Sequence, residues 1–548
     1  MRAPRPSAIR TVALLAVAAA ATVGLVSPAN ATPAKPSAAN SGPGAIRPVL
    51  HGIDLESATI PDLQKAMDRG RLSSVGLTRF YLSRMRVLDK KVNAVLAVNH
   101  DALKIAAASD QQRRRHGARS PLEGIPILLK DNVNTKDKQP TTAGSFALLG
   151  SPVGKDAFLA RKLRLAGAVI IGKANLSEWA NFRSTNSSSG WSGVGGLTNN
   201  PYVLDRNPCG SSSGSGAGVA ANLATVAIGT ETDGSRVCPS GQNGAVGIKP
   251  TLGLVSRSGV VPISAEQDTA GPIAKHVVDA ALTLEVIRGI DPTDAATKDA
   301  KPFLNVDLLK GLSPNGLRGK RIGLWIDGTG ADGSPETLAV LNQARAAISR
   351  LGGTVVDIAM PFQDEAGADE TPALENEFKH DINAYLAARP GNHPKDLAGL
   401  IAFDNAHAAQ ELQFFGQEIF EESQAMSGDL TDPTYLQQRA TVTGLQRRAI
   451  DETLANNHLD AIMAATNSPA WVTTLGQGDA FSVGSSSPAA ASGYPSITVP
   501  AGFSGPLPVG VSLIGSRFGE ANLVKLAFAF EKGTQVRQPP KFIPTIGQ

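Results

Sequence analysis

The segment 207–251 reads NPCGSSSGSGAGVAANLATVAIGTETDGSRVCPSGQNGAVGIKPT and contains the strongest evidence about the fold. Glycine and serine are too dense here for an ordinary helix or strand, because glycine weakens both. The two densest loops, 210–216 and 229–236, are separated by a stretch that predicts a helix at 217–224 and a strand at 225–228. Since the loop before such a helix and the loop after such a strand lie at one sheet edge, we expect serines of the two loops to meet.

Strands and helices alternate on both sides of this segment. The predicted strands are 92–98, 125–129, 168–171, 225–228, 321–326, 354–359, 460–464, 497–499 and 511–514. The predicted helices are 59–69, 74–88, 101–115, 155–166, 217–224, 336–351 and 521–530. This alternation predicts an α/β fold with helices on both faces of a largely parallel sheet. Region 366–457 predicts a helical insertion that covers one side of the sheet, or alternatively a separate helical domain.

The first 31 residues are typical of a secretory signal peptide. Three arginines precede an apolar run at 11–26, and the small residues at 29–31 predict cleavage after Ala31. The alternative is an uncleaved membrane anchor, for which this run is short. We therefore expect a secreted, extracellular protein with no stable membrane anchor after cleavage.

Residues 32–54 predict a flexible leader, because Pro, Ala, Ser and Gly dominate most of this stretch, and the globular domain is expected to span 55–537. The chain is 42% hydrophobic and 18% charged, which is ordinary for a globular protein. Removing residues 1–31 takes away three arginines and no acid, so the net charge falls from +4 to +1. This balance predicts no nucleic-acid partner, and the basic run 113–116 is interpreted as a solvated helix end.

Cys209 and Cys238 are the only two cysteines, and both lie within the glycine- and serine-rich segment. Export would permit a disulfide between them, and free buried thiols are equally compatible with the sequence. The eight histidines are scattered, without a pair or a Cys/His cluster at metal-ligand spacing. We predict neither a metal site nor a cofactor.

The segment resembles the amidase-signature family, whose members carry a G-G-S-S-G-G-S-type loop and, further along, G-T-D-x-G-G-S, K-P-T and D-x-x-G-P. The matching stretches here are GSSSGS at 210–215, GTETDGS at 229–235, KPT at 249–251, DTAGP at 268–272, GIPILLKD at 124–131, GYPSITVP at 493–500 and GV at 510–511. The similarity extends from about residue 55 to 535. It implies one large α/β domain with a mixed central β-sheet covered by helices on both faces.

The resemblance implies a catalytic triad in which Ser235 is the nucleophile, Ser211 the bridging serine, held through a cis peptide bond, and Lys130 the base. A serine hydroxyl attacks an amide only when a neighbour takes its proton. A lysine accepts that proton only when neutral, so its pKa must fall from ~10.4 to near 7, at a cost of about 4 kcal/mol. Burial of Lys130 after the apolar strand 125–129 shifts its pKa in that direction.

Several residues are expected to support this triad. The backbone N–H groups of Thr232, Asp233, Gly234 and Ser235 are positioned to form an oxyanion hole, with the Asp233 side chain ordering the loop.

Four further supporting residues adjoin the triad positions. Gly210 and Ser212 flank the bridging serine, and Asp131 either tunes the pKa of Lys130 or caps a turn. Arg236 follows the nucleophile, where it either reshapes the leaving-group side or pairs with Asp233.

Two rival interpretations use the same segment. GSSSG at 210–214 also fits the G-x-S-x-G nucleophile elbow of α/β-hydrolase esterases, which would make Ser212 the nucleophile. That reading needs a late histidine, and the last one, His458, lies in a predicted helix. A non-catalytic amide-binding protein on the same fold is the other alternative, and it would require a broken triad.

Within the family, the resemblance is closest to peptide amidases, which remove the C-terminal amide of a peptide. The shared stretches are 141–145, 207–216, 231–235, 237–239 and 267–269. Peptide amidases carry an aliphatic residue where this chain has Arg236. The implied function is a secreted serine amidohydrolase of C-terminal peptide amides, working through an acyl-enzyme as a monomer or homodimer. The alternative substrates are small aliphatic or aryl amides, and no partner beyond the amide is expected.

Overall fold

A computed structural model describes residues 48–547, which lie in one compact unit. The predicted signal peptide and residues 32–47 of the predicted leader lie outside the described residues. The prediction of a flexible leader is wrong for its last residues. The strands Val49–Leu50 and Ile53–Asp54 pair as an antiparallel hairpin, and Leu55 is buried in the core.

The strands and helices of the described chain are numbered here in chain order. The strands are β1 Val49–Leu50, β2 Ile53–Asp54, β3 Val95–Val98, β4 Pro126–Lys130, β5 Val169–Ala174, β6 Trp191–Ser192, β7 Gly196–Leu197, β8 Val226–Glu231, β9 Val246–Lys249, β10 Thr269–Ala274, β11 Arg321–Trp325, β12 Thr354–Ile358, β13 Ala461–Ala465, β14 Ser496–Ser504 and β15 Leu507–Ile514. The α-helices are α1 Ile60–Asp68, α2 Ser74–Arg84, α3 Lys90–Val92, α4 Ala102–His116, α5 Phe158–Leu165, α6 Ser213–Ala220, α7 Val237–Gln242, α8 Val277–Ile287, α9 Pro335–Arg350, α10 Gln363–Ala388, α11 Leu397–Ala406, α12 Ala408–Glu411, α13 Glu418–Ala425, α14 Pro433–Asn456, α15 Ser487–Ser492 and α16 Glu520–Thr534.

The central sheet has eleven strands in the order β12-β11-β13-β15-β14-β9-β10-β8-β4-β5-β3, and helices pack on both of its faces. The pairs β11–β12, β11–β13, β4–β5 and β4–β8 are parallel, and the other neighbours are antiparallel. The sheet is therefore mixed, and the prediction of a largely parallel sheet from helix–strand alternation is wrong. The difference arises at β9, β10, β14 and β15, which meet as antiparallel neighbours in the middle of the sheet.

Helix α6 begins at Ser213, four residues before the predicted start, and every one of its residues is buried. Its small side chains allow two neighbouring backbones to approach. A Cβ added at Gly214 would lie 2.3 Å from the Ala94 carbonyl oxygen, and one at Gly216 would lie 2.8 Å from that of Pro239. The glycine-rich composition of the segment is therefore a packing requirement, and it brings the loops at both ends of the α6–β8 unit close to their neighbours.

The region 366–457 is helical as predicted, with α10 to α14 filling most of it. Its apolar side chains form a cluster with Leu148, Trp179 and Ile263, which belong to loops around the sheet edge. The insertion therefore packs on segments that border the site, and Ala449 and Ile450 of α14 also cover part of one sheet face by packing against Ile462, Ala464 and Ile514. In residues 48–547, no helix has both the length and the apolar composition required to cross a membrane.

Candidate active site

Lys130 ends β4 and is completely buried. Its Nζ atom donates hydrogen bonds to Ser211 Oγ at 2.7 Å and to Thr230 Oγ1 at 2.9 Å. Thr230 Oγ1 also accepts a hydrogen bond from Asn132 Nδ2 at 2.9 Å. The amine is thus held by two hydroxyls at the edge of the sheet, and sequence analysis missed both Thr230 and Asn132.

Burial lowers the pKa of Lys130 from its usual value of 10.5 to about 7. The positive charge of Arg236 lowers this pKa further, and the negative charges of Asp268 and Glu231 act in the opposite direction. A substantial fraction of the Lys130 amines is therefore neutral near pH 7, which is the state able to accept a proton.

Ser211 lies in the adjacent loop, is fully buried, and follows Gly210 through a cis peptide bond. A side chain at position 210 is excluded, because an added Cβ would lie 2.2 Å from Ser177 Oγ. The backbone amide of Ser212 donates to the carbonyl oxygen of Ser235 at 2.9 Å. The two glycine- and serine-rich loops therefore lie side by side.

Ser235 is on the wall of a cavity and 8% exposed. Its hydroxyl makes no hydrogen bond with the described residues, so the structure contains the Lys130–Ser211 link and not a Ser211–Ser235 link between hydroxyls. In catalytic sites without substrate, such hydrogen bonds are commonly long and tighten only in the reacting complex.

The loop before Ser235 exposes its backbone amides. Within the described chain, the amides of residues 232–235 donate no hydrogen bond, and all four residues line the cavity. Gly234 has φ +73°, a conformation that favours glycine. The loop is held from behind by Glu231, whose Oε2 accepts the amides of Arg236 at 2.9 Å and Val237 at 3.0 Å. The backbone amides of residues 232–235 are therefore available as donors for a developing oxyanion. Sequence analysis missed Glu231, which holds the loop.

The Asp233 side chain anchors this loop to helix α15. Its Oδ2 accepts a hydrogen bond from the Ser487 hydroxyl at 2.6 Å, at the start of α15. Burial raises the pKa of the Asp233 carboxyl. The predicted ordering role thus corresponds to a tie between the loop and a distant helix.

Asp131 contacts Lys173 and Thr142, the residue at which a later turn begins. Its Oδ2 accepts the amide and hydroxyl of Thr142 at 2.9 and 2.5 Å, and its Oδ1 lies 3.7 Å from Lys173 Nζ. Burial raises the pKa of Asp131 and lowers that of Lys173 to about 8. Asp131 thus holds the turn that begins at Thr142, and its charged partner is Lys173 rather than Lys130.

Arg236 does not reach the cavity. Its side chain is fully buried, its NH2 donates to Thr269 Oγ1 at 2.8 Å, and its Nε lies 3.9 Å from Glu231 Oε2. The predicted pairing with Asp233 and the predicted contact with the leaving group are both wrong. The side chain turns back over β10, where a Cβ added at Gly271 would meet the guanidinium.

Ser212 holds strand β8 through two hydrogen bonds. Its hydroxyl donates to the Thr230 carbonyl at 3.0 Å and accepts the Thr230 amide at 3.2 Å. It is fully buried, is not on the cavity wall, and no histidine contacts it in the described chain. The nucleophile-elbow interpretation therefore fails, and Ser212 has the supporting position that the resemblance implies.

Cys209 and Cys238 form a disulfide bond, which settles the alternative left open by the sequence. The bridge lies on the wall of the same cavity as Ser235.

The cavity has a volume of about 690 Å³. It is lined by the apolar side chains of Phe182, Ile263, Leu374 and Phe481, by serines and glycines, and by two carboxylates. Among the described residues, no group of three or more His, Cys, Asp or Glu side chains is arranged to hold a metal ion.

Comparison with known proteins agrees with this fold. The sequence profile of the Amidase family matches residues 76–524. A probable amidase of Arabidopsis thaliana is 43% identical over 502 residues, which cover 90% of this chain and 93% of the relative. The chain belongs to this amidase family, and it is an enzyme that hydrolyses amides.

Two solved structures are particularly similar. A peptide amidase in complex with the competitive inhibitor chymostatin has a TM-score of 0.85 at 47% identity, covering 88% of this chain and 99% of that chain. The native peptide amidase from Stenotrophomonas maltophilia has a TM-score of 0.83 at 47% identity, covering 88% and 98%. Among the amidases, the chain is therefore similar to peptide amidases along nearly its whole described length.

Proposed function

We propose that this amidase removes the C-terminal carboxamide of peptides, with Ser235 as nucleophile, Ser211 as proton bridge and Lys130 as base. The observation that carries the proposal is the 2.7 Å hydrogen bond between a fully buried Lys130 amine and the Ser211 hydroxyl. The similarity to two peptide amidases supports the substrate class.

In the acylation step, Ser235 Oγ attacks the carboxamide carbon while its proton moves to Ser211 Oγ. The proton of Ser211 moves in turn to the neutral Lys130 amine, so Ser211 ends the step unchanged. The oxyanion accepts hydrogen bonds from the amides of residues 232–235.

Collapse of this intermediate breaks the C–N bond. The proton returns from Lys130 through Ser211 to the leaving nitrogen, and ammonia departs from an acyl-Ser235 ester. Water then attacks the ester by the same proton route and releases the peptide acid and free Ser235.

The cavity favours peptides over small amides. Its volume of about 690 Å³ and its apolar side chains Phe182, Ile263, Leu374 and Phe481 offer contacts that a small aliphatic amide cannot make.

The proposal includes export, with cleavage after Ala31. The enzyme would act on extracellular peptides as a monomer or homodimer. The signal-like N-terminus and the disulfide support this localisation, since disulfides persist in oxidising compartments.

Ammonia release from C-terminal peptide amides, small aliphatic amides and aryl amides tests the proposal. The peptide amides should have the highest kcat/KM, and Ser235→Ala should lower kcat by at least about 10³-fold. Ser349→Ala, which removes an exposed serine of α9, is the matched control and should retain full activity. Activity that survives in Ser235→Ala and disappears in Ser212→Ala would refute the assignment of the nucleophile.

A further inference from the structure

We infer that the cavity selects amides whose acyl part carries a positive charge, and that Asp479 is the residue that recognises the cation. The inference rests on the proposed function and adds a charge preference to it. Among the described residues that line the cavity, the ionisable side chains are Asp233 and Asp479, and neither lysine, arginine nor histidine contributes to the wall.

Asp479 is held in a fixed position on this wall. It comes from the irregular segment between β13 and α15, and its two carboxylate oxygens accept the Ser189 amide at 3.0 and 3.1 Å. Asn207 Nδ2 donates to Asp479 Oδ1 at 3.3 Å. Asn207 lies three residues before Gly210 and Ser189 packs against Gly210, so both donors position the carboxylate relative to the loop of the proposed proton bridge.

The carboxylate of Asp479 retains acceptor capacity. Two carboxylate oxygens offer about four lone-pair sites; the Ser189 amide and Asn207 Nδ2 use part of them, and the side chains of Ser189 and Trp471 also interact with the carboxylate. Asp479 lines the cavity and is part-buried, so the remaining capacity is available to a bound molecule. An ammonium or guanidinium group supplies the donors that such a site requires.

Asp233 holds the loop of residues 232–235 instead. Its Oδ2 is engaged by the Ser487 hydroxyl, and its backbone belongs to the loop of free amides. We therefore assign recognition to Asp479, and Asp233 adds negative potential close to Ser235. Two carboxylates in a cavity with apolar walls attract cations and repel anionic substrates.

The electrostatics of the site agree with a cationic occupant. Burial raises the pKa of both Asp233 and Asp479, although the charge of Lys249, which is not on the cavity wall, acts in the opposite direction on Asp233. A bound cation would favour the ionised carboxylates. The cation has two possible sources in a peptide amide, the N-terminal ammonium or a lysine or arginine side chain, and both share this chemistry.

The test compares dipeptide amides that differ only in charge. One series has the same two residues with a free N-terminus, an N-acetyl group or an N-succinyl group. A second series is N-acetylated and has either lysine or the neutral, similarly shaped norleucine before the amidated residue. We expect kcat/KM to be at least about 10-fold higher for the cationic member of at least one series, and lowest for the succinyl compound. The series that shows the preference identifies the source of the cation.

Asp479→Asn should lower kcat/KM for the cationic compound more than for its neutral partner, so that most of the preference disappears. Asp332→Asn, which neutralises an exposed acid beside the cavity loop 328–330, is the matched control and should keep the wild-type preference. Added salt should reduce the preference of the wild type.

The outcomes separate the two proposals. Absence of ammonia from every peptide amide refutes the proposed function. Turnover of peptide amides with equal or reversed charge preference refutes the charge inference alone, and this result needs only the wild type. A preference that Asp479→Asn retains in full overturns the assignment of Asp479.

Discussion

Cys209 and Cys238 join the loop that leads into Ser211 to the helix that follows Ser235. The bridge spans 29 residues of sequence and encloses the α6–β8 unit. It therefore ties together the two loops that bear the proposed bridging serine and nucleophile, on the wall of the cavity itself.

Replacing both cysteines by serine should destabilise the protein. Closing a loop of this length restricts the unfolded chain, so the free energy of unfolding should fall by about 3 to 4 kcal/mol, measured by urea denaturation. Activity should fall with it, because the loops lose their cross-link. Thiol reduction of the wild type should reproduce both effects, whereas equal stability of the reduced and oxidised forms would contradict the prediction.

The pH dependence of kcat/KM should report Lys130. Its pKa is about 7 in the folded enzyme, and the amine works as a base only when neutral. Activity should therefore decline as pH falls below about 7, approaching one decade per pH unit, and should level off at higher pH. A profile that is flat from about pH 5.5 to 8.5 would show that another group accepts the proton.

Arg236→Met should move the acidic limb of the pH profile, the decline of kcat/KM below about pH 7, to higher pH. The Arg236 charge lowers the pKa of Lys130, so its removal raises that pKa and leaves more of the amine protonated at pH 7. Glu231, which Arg236 contacts, would then act on Lys130 in the same direction.

Arg236→Lys retains the charge and serves as the control, with a limb close to that of the wild type. At a pH high enough to keep Lys130 neutral, the substrate preference of the methionine variant should be unchanged, because Arg236 is not on the cavity wall. A limb that stays in place in Arg236→Met would exclude electrostatic tuning by Arg236.

Thr230→Val should slow catalysis by about 10- to 100-fold in kcat, with a smaller change in KM. The substitution removes a hydroxyl that holds the Lys130 amine and leaves Asn132 Nδ2 without its partner. Thr230→Ser keeps the hydroxyl and should restore most of kcat. If valine and serine reduce kcat equally, the hydroxyl has no role in positioning the amine.

Part of this site could be predicted from sequence. The apolar strand before Lys130 indicates a buried amine, and the spacing of the two loops indicates their meeting. That Asp131 does not face Lys130 was also within reach, because successive residues of an extended chain point to opposite sides. The partner of Asp131, Lys173, comes from the neighbouring strand β5, and strand pairing is not visible in one sequence.

The contacts of Arg236 and the strand directions could not be predicted. Arg236 is adjacent to Ser235 in sequence, yet its side chain contacts Thr269 on β10, a strand that sequence analysis missed. The segment TAGPIA of β10 contains glycine and proline, which usually indicate a turn. It forms a strand because β8 and β9 pair with it on both sides, a tertiary effect that local propensity does not contain.

The position of Arg236 behind the cavity has an evolutionary consequence. Its charge acts on Lys130 through the protein interior, whereas the residues that line the cavity do not include Arg236. Mutation at this one site would shift the acidity at which the enzyme works and leave the repertoire of substrates intact. Adaptation of the working pH and adaptation of the substrate specificity are thus separable in this fold.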